Sequence, residues 1–220
     1  MEALLAATPV LTVRVASVSD MDNNVYLLTS SVTGHQLLID AADDPVAIGR
    51  LLGLAASDAP GPPRLSLIVT THSHRDHIRA LAPLVQATGA AALAGKDDVA
   101  AIENQTGISI ARGLEHGDIV GVPGLTLKVI GLRGHTPGSI ALAYQEDGQP
   151  AHLFTGDSLF PGGVGNTDRD PGRFNRLMAD VTERVFDLYP DDAIVHPGHG
   201  APTTLGAERP HLDEWRERGW

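Results

Sequence analysis

Four short segments hold most of the side chains in this 220-residue sequence that could act together chemically. The densest is Thr71-His72-Ser73-His74-Arg75-Asp76-His77, three histidines and an aspartate in seven positions. Further on come Gly134-His135-Thr136-Pro137-Gly138-Ser139, Gly156-Asp157-Ser158 and Pro197-Gly198-His199-Gly200. Neutral imidazole binds zinc through one ring nitrogen and a carboxylate offers hard oxygens, so His and Asp converging from several segments suit a divalent cation. The sequence has no cysteine. Disulfides, thiolate ligands and cysteine nucleophiles are therefore excluded together. Taken alone, the first segment is open to another reading, a polar strand-to-helix loop with Asp76 as the cap, and His135 and His199 to one as turn histidines. The glycine beside each distal residue weighs the other way, since it lets backbone approach a ligand closely.

These residues need elements to position them. Leu65 to Thr70 is a short, nearly continuous apolar run that reads as a buried strand, and Ile78 to Ala87 has apolar residues at helical spacing. The first segment thus sits where a strand ends and a helix begins, the place where sites collect in layered α/β folds. Residues two apart on an extended segment face the same way, so His72, His74 and Asp76 can share a side, with His77 entering the helix. That spacing can serve two metals at once. Other strands are expected at Val10 to Val18, Val25 to Ser30, Gln36 to Asp40, Ala90 to Ala94, Leu125 to Leu132, Ser139 to Tyr144, Ala151 to Phe154 and Ala193 to Val195. Helices are expected at Asp44 to Leu54, Lys96 to Asn104 and, as an amphipathic stripe, Phe174 to Leu188. The stretch from Gly156 to Gly172 is too rich in Gly, Pro and Asp for regular structure. No repeat or linker stands out, so residues 1–220 read as one domain, ending in a short charged helix at about 207–218.

Composition narrows the function further. Hydrophobic residues make up 42% and the net charge is −11. That charge opposes a nucleic-acid partner, because phosphate binding relies on Lys and Arg. No apolar run approaches the roughly 18 to 20 residues that cross a bilayer. The N-terminus carries Glu2 and no basic residue before Arg14, unlike a secretory signal, so a cytoplasmic protein acting on a small molecule is expected. His35, His116, His152 and His211 read as structural or solvated, and His196 as a loop histidine. Tyr26, Phe160 and Asn166 are candidates to line a pocket, Tyr26 equally a core residue.

Taken in order, with gaps of 58, 22 and 42 residues from His77 to His135, to Asp157 and to His199, the segments resemble the metallo-β-lactamase superfamily of hydrolases. The resemblance runs from about Asn24 to Gly200. It implies an α+β fold, a four-layer αββα sandwich with a two-metal site at one edge. By matching position, His72, His74 and His135 would bind one metal, Asp76, His77 and His199 the second, and Asp157 would bridge them. Asp40 matches an aspartate that orients a ligand histidine from behind, although Ala41-Ala42 stands where the family has Thr-Gly. The cofactors implied are two divalent ions, zinc first, with iron or manganese as alternatives.

Two such metals acidify a shared water, so the expected reaction is hydrolysis by a bridging hydroxide, with Asp76 orienting the nucleophile and relaying its proton. Within the superfamily, Asp157 is unlike the β-lactamases and His74 unlike the flavodiiron proteins. The glyoxalase II-like group, hydrolases of thioesters such as hydroxyacylglutathione, is the nearest in motif, with Gly156-Asp157-Ser158-Leu159-Phe160 resembling its post-aspartate loop. Two departures leave the thiol carrier open. Only 21 residues follow His199, where glyoxalase II proper has a helical domain, and Gly165-Asn166-Thr167 stands where that group tends to have Gly-Arg. The alternatives are an iron-dependent persulfide dioxygenase, a lactonase and, last, a non-catalytic binding module, which would tolerate eroded ligands.

Overall fold

A computed structural model describes residues 2–219. The first half of the chain forms a seven-stranded sheet from β1 (Glu2–Ala7), β2 (Leu11–Val18), β3 (Asn23–Ser30), β4 (His35–Ile39), β5 (Arg64–Thr70), β6 (Ala91–Gly95) and β7 (Arg112–Leu114), in that spatial order. Neighbours pair antiparallel as far as β4 and parallel from β4 to β7. The parallel part needs crossovers, and α1 (Pro45–Leu54), α2 (Leu81–Thr88) and α3 (Val99–Thr106) lie within them. Alternation sets the faces: Val25, Leu27, Leu38 and Ile68 pack against the helices, while Tyr26, Leu28, Leu37, Ile39 and Val69 face the other way.

The second half forms β8 (Ile119–Val122), β9 (Leu125–Gly131), β10 (Ile140–Tyr144), β11 (His152–Gly156), the hairpin β12 (Leu159–Phe160) and β13 (Gly163–Val164), α4 (Pro171–Val181), β14 (Ile194–Pro197), β15 (Thr203–Thr204), α5 (Leu205–Glu208) and α6 (Leu212–Arg218). Its six-stranded sheet runs β15-β14-β11-β10-β9-β8. Leu127, Val129, Leu142 and Phe154 meet the inner face of the first sheet. Ile130, Leu153, Val195, Leu177, Val181 and Trp215 form the outer core under α4 and α6. The layers are helix, sheet, sheet and helix, the αββα sandwich. No helix among the described residues is long and apolar enough to cross a membrane.

Several sequence expectations are corrected. The Phe174 to Leu188 helix is α4 followed by a π turn over Thr182–Phe186, in which Asp187 N–H donates to Thr182 O. The helical run ends there, and Leu188, in the turn that follows, is 60% exposed. Helix does not begin at Ile78. A 3-10 turn, Arg75–His77, comes first, and Arg79 and Ala80 donate their N–H groups to Ala42 O and Ala41 O. The Gly156 to Gly172 stretch does contain regular structure, the β12–β13 hairpin. β1, with no alternating pattern, was not expected, and Leu4 on it is 53% exposed.

His152 is structural rather than solvated, and His196 is a strand residue, not a loop one. They are 6% and 2% exposed on adjacent strands, and His152 Nδ1 lies 2.9 Å from His196 Nε2. Burial and the neighbouring His152 push the His196 pKa down from 6.5 to about 3. The unfolded chain therefore takes up a proton between about pH 6.5 and 3 that the folded chain refuses, and stability falls as pH drops through that window, by on the order of a few kcal/mol. His196→Phe, which fits the ring stack on Phe154, should flatten the decline in urea-unfolding free energy between pH 7 and pH 4.5. Equal declines in variant and parent would refute this role.

Candidate metal centre

All four motif segments leave the ends of strands at one edge of the sandwich. His72 to His77 follow β5, His135 lies between β9 and β10, Asp157 follows β11 and His199 follows β14. Two groups of donors result, His72 with His74 and His135, and Asp76 with His77 and His199, each with ligand atoms within 4.8 Å of one another. Asp157 stands between them. Its Oδ2 is 3.9 Å from His72 Nε2, 3.6 Å from His135 Nε2 and 3.4 Å from His199 Nε2, and its Oδ1 is 3.4 Å from His77 Nε2. A third grouping, Asp40 with His72 and His77, also meets the distance limit. The Asp40 oxygens are already engaged, so it is better read as support.

The support is specific. Asp40 accepts from Thr71 N–H and Thr71 Oγ1, both at 2.7 Å, and from His77 Nδ1 at 2.9 Å. Its φ of +57°, rare outside glycine, marks a backbone held against its preference. His72 Nδ1 contacts Thr71 Oγ1 at 3.0 Å, His135 Nδ1 contacts Asn166 O at 2.7 Å and His199 Nδ1 contacts Met21 O at 2.7 Å. Each acceptor assigns the proton to Nδ1 and leaves Nε2 as a lone pair turned inward, the arrangement that metal-binding imidazoles show.

The inward atoms fit a cation. His72 Nε2, His135 Nε2 and Asp157 Oδ1 are buried without a hydrogen-bond partner, a state that costs about 1–3 kcal/mol per group unless something satisfies it. His77 Nε2 and His199 Nε2 face each other at 3.1 Å, where two lone pairs repel unless a proton or cation lies between them. Electrostatics divides the site in two. Burial holds the His72 and His135 pKa values below the ordinary range, in the neutral ligand form. For His77, burial is outweighed by Asp157 and Asp40, which push it up to about 10, and Asp157 raises His199 likewise. Burial also opposes ionisation of Asp157, but the adjacent His199 and His77, each at 3.4 Å, prevail and hold it well below the carboxylate range.

Three supporting residues had no role in the sequence reading. Asn23, fully buried, donates from Nδ2 to Asp76 Oδ2 at 2.9 Å and stands 3.4 Å from both His77 and His199 Nε2. Its signal was a polar residue opening an apolar strand, next to Asn24. Arg173 donates to Gly134 O at 2.8 Å and to His135 O, and pairs with Asp168, tying α4 to the His135 loop. Asp98 links two ligand loops, and reads in sequence only as the start of a helix. Of the pocket candidates, the Phe160 ring lies 6.5 Å from that of His199, Asn166 supplies a carbonyl and Tyr26 packs in the core, its hydroxyl donating to Pro197 O at 2.7 Å. His74 is exposed and Asp76 half-buried, so the centre opens to solvent on their side.

Gly198 permits the closest approach. A Cβ there would lie 2.1 Å from Asp157 Oδ1 and 2.8 Å from His77 Cε1. Gly198→Ala should displace Asp157 and lower the metal retained after dialysis, read by elemental analysis; full retention would count against this packing.

The family model described as the metallo-beta-lactamase superfamily matches residues 18–201. A hydroxyacylglutathione hydrolase from Polaromonas sp. (strain JS666 / ATCC BAA-500) is 34% identical over 180 residues, 79% of this chain and 60% of that protein. The chain thus spans about three fifths of that relative. Hydroxyacylglutathione hydrolase GloC from Haemophilus influenzae is 31% identical over 159 residues, 66% of this chain and 73% of that one. Among solved structures, ETHE1 from Myxococcus xanthus aligns with a TM-score of 0.74 at 29% identity, covering 91% of this chain and 82% of that one. TTHA1623 in a di-iron-bound form aligns at 0.67 and 33%, covering 89% and 96%.

Proposed function

Because the chain belongs to the metallo-beta-lactamase superfamily, we propose that it is a metal-dependent hydrolase that cleaves thioesters in the manner of the hydroxyacylglutathione hydrolases, using two divalent ions. His72, His74 and His135 would hold one ion and Asp76, His77 and His199 the other, with Asp157 contributing to both. The carrying observation is the shared anchoring of His72, His77, His135 and His199 through Nδ1, which turns every Nε2 toward Asp157. The di-iron form of TTHA1623 adds weight to two ions rather than one.

Divalent ions held there would supply Lewis acidity, acidifying water and drawing charge from a carbonyl oxygen. The protein's own part is orientation and proton handling. Burial opposes the charge on Asp76, yet the bond from Asn23 and the nearby His77 keep its pKa low, so it is a carboxylate at neutral pH. With Oδ2 held by Asn23, the half-buried carboxylate would take a proton from attacking water as the water oxygen bonds to the carbonyl carbon, and pass that proton to the leaving sulfur. The C–S bond breaks, and a carboxylic acid and a free thiol leave.

A substrate panel tests the proposal. Protein purified with its own metal is assayed against hydroxyacyl thioesters of glutathione and of coenzyme A, a lactone, and a persulfide with an oxygen electrode. Thioester cleavage without oxygen uptake is expected. One iron per chain with persulfide-dependent oxygen uptake would overturn it, as would cleavage of the lactone alone.

A further inference from the structure

Asp98 ends the 3-10 turn Lys96–Asp98 that runs directly into α3, and its side chain makes no capping bond to that helix. The carboxylate, on a residue 1% exposed, is turned away from its own helix. Oδ2 accepts from Ser73 N–H at 2.8 Å and from Thr136 Oγ1 at 2.6 Å, and Oδ1 accepts from Gly138 N–H at 2.8 Å. Ser73 lies between His72 and His74, and Thr136 follows His135. One buried carboxylate therefore ties together the two loops that carry His72, His74 and His135.

The surroundings are built for this link. With Thr136 Oγ1 donating to Asp98, the Ser139 hydroxyl at 2.6 Å donates to Thr136 Oγ1 and its oxygen accepts Thr136 N–H at 2.9 Å. A Cβ on Gly138 would lie 2.4 Å from Asp98 N and 2.9 Å from Asp98 Cγ, so only glycine admits the carboxylate this close. Gln105 Nε2 donates to Ser73 O at 2.9 Å and steadies the same loop from α3. The other donor group has supports that Asp98 does not touch: Asn23 beside Asp76, Met21 O behind His199, and Asp40 behind His77, which also reaches His72 through Thr71.

We propose that Asp98 is a positioning residue that sets the spacing of His72 and His74 against His135, and so governs affinity at that one metal position. The inference rests on the two-ion reading given above. It is tested with zinc alone, by chelator competition on metal-depleted protein, and by the visible spectrum of the cobalt-substituted form. Asp98→Asn should weaken one of the two ions by about 10–100-fold, as losses of outer supports to metal ligands do, and leave the other unchanged. It should also alter the cobalt bands. Thr136→Val should weaken the same ion by a smaller factor, and Thr136→Ser, which keeps the hydroxyl, should restore it. Far-UV circular dichroism of the metal-free variants checks folding; if Asp98→Asn does not fold, the Thr136 pair carries the test. Folded variants with both ions at parental affinity, or with both weakened equally, would overturn the role of Asp98 alone. A parent chain that takes up no zinc would overturn the two-ion reading and this inference with it.

Discussion

Asp157→Ala is expected to strip metal from the protein and to lower thioester turnover by more than about 100-fold, beyond the 10–100-fold that loss of an outer support brings. Among the described residues, Asp157 is the carboxylate that lies within 4 Å of ring nitrogens in both donor groups, at His72 and His135 on one side and His77 and His199 on the other. Removing it takes an oxygen donor from both positions. It also removes the negative charge that gathers the four imidazoles, leaving their Nε2 atoms facing one another. Elemental analysis after dialysis and steady-state assay of the reloaded protein measure the two effects. Retention of two ions with parental turnover would contradict the shared role.

The second large effect is on stability. Trp215 is 1% exposed, and its ring lies 6.3 Å from that of Phe186 in the core beneath α4 and α6. Truncation of a buried Trp costs about 3–5 kcal/mol, against about 5–15 kcal/mol for a whole domain. Trp215→Ala should thus shift the urea-unfolding midpoint sharply downward with little change in slope. A loss below about 1 kcal/mol, usual for a surface substitution, would mean that α6 contributes little packing. Sequence presented this segment as a charged helix because Asp213, Glu214, Arg216 and Arg218 dominate it. One large apolar residue decides its docking.

The same contrast explains what the sequence reading reached. Leu65 to Thr70 was legible as a strand because burial on both faces leaves a continuous apolar run, and the motif residues were legible because few side chains bind metal. The anchors were not. Met21 and Asn166 act through backbone carbonyls, which any residue supplies, so no residue type announces them. Asn23 and Asp98 are ordinary at a strand start and a helix start, and only the packing of distant segments gives them their partners. The His152–His196 contact depends on β11 pairing with β14 across some forty residues of chain, a register that local pattern does not encode. The end of the helical run at Phe186 likewise leaves no mark in the apolar spacing, since Leu188 continues the apolar pattern but lies in the turn beyond it.

On the function proposed above, the residues around Asp157 hold two metal ions on which thioester hydrolysis depends. The most direct test of this returns zinc in measured equivalents to metal-depleted protein while following hydroxyacyl thioester cleavage. The expected rate rises from background and saturates at two ions per chain. Cleavage at full rate before any zinc is added, or none at any loading, would contradict it.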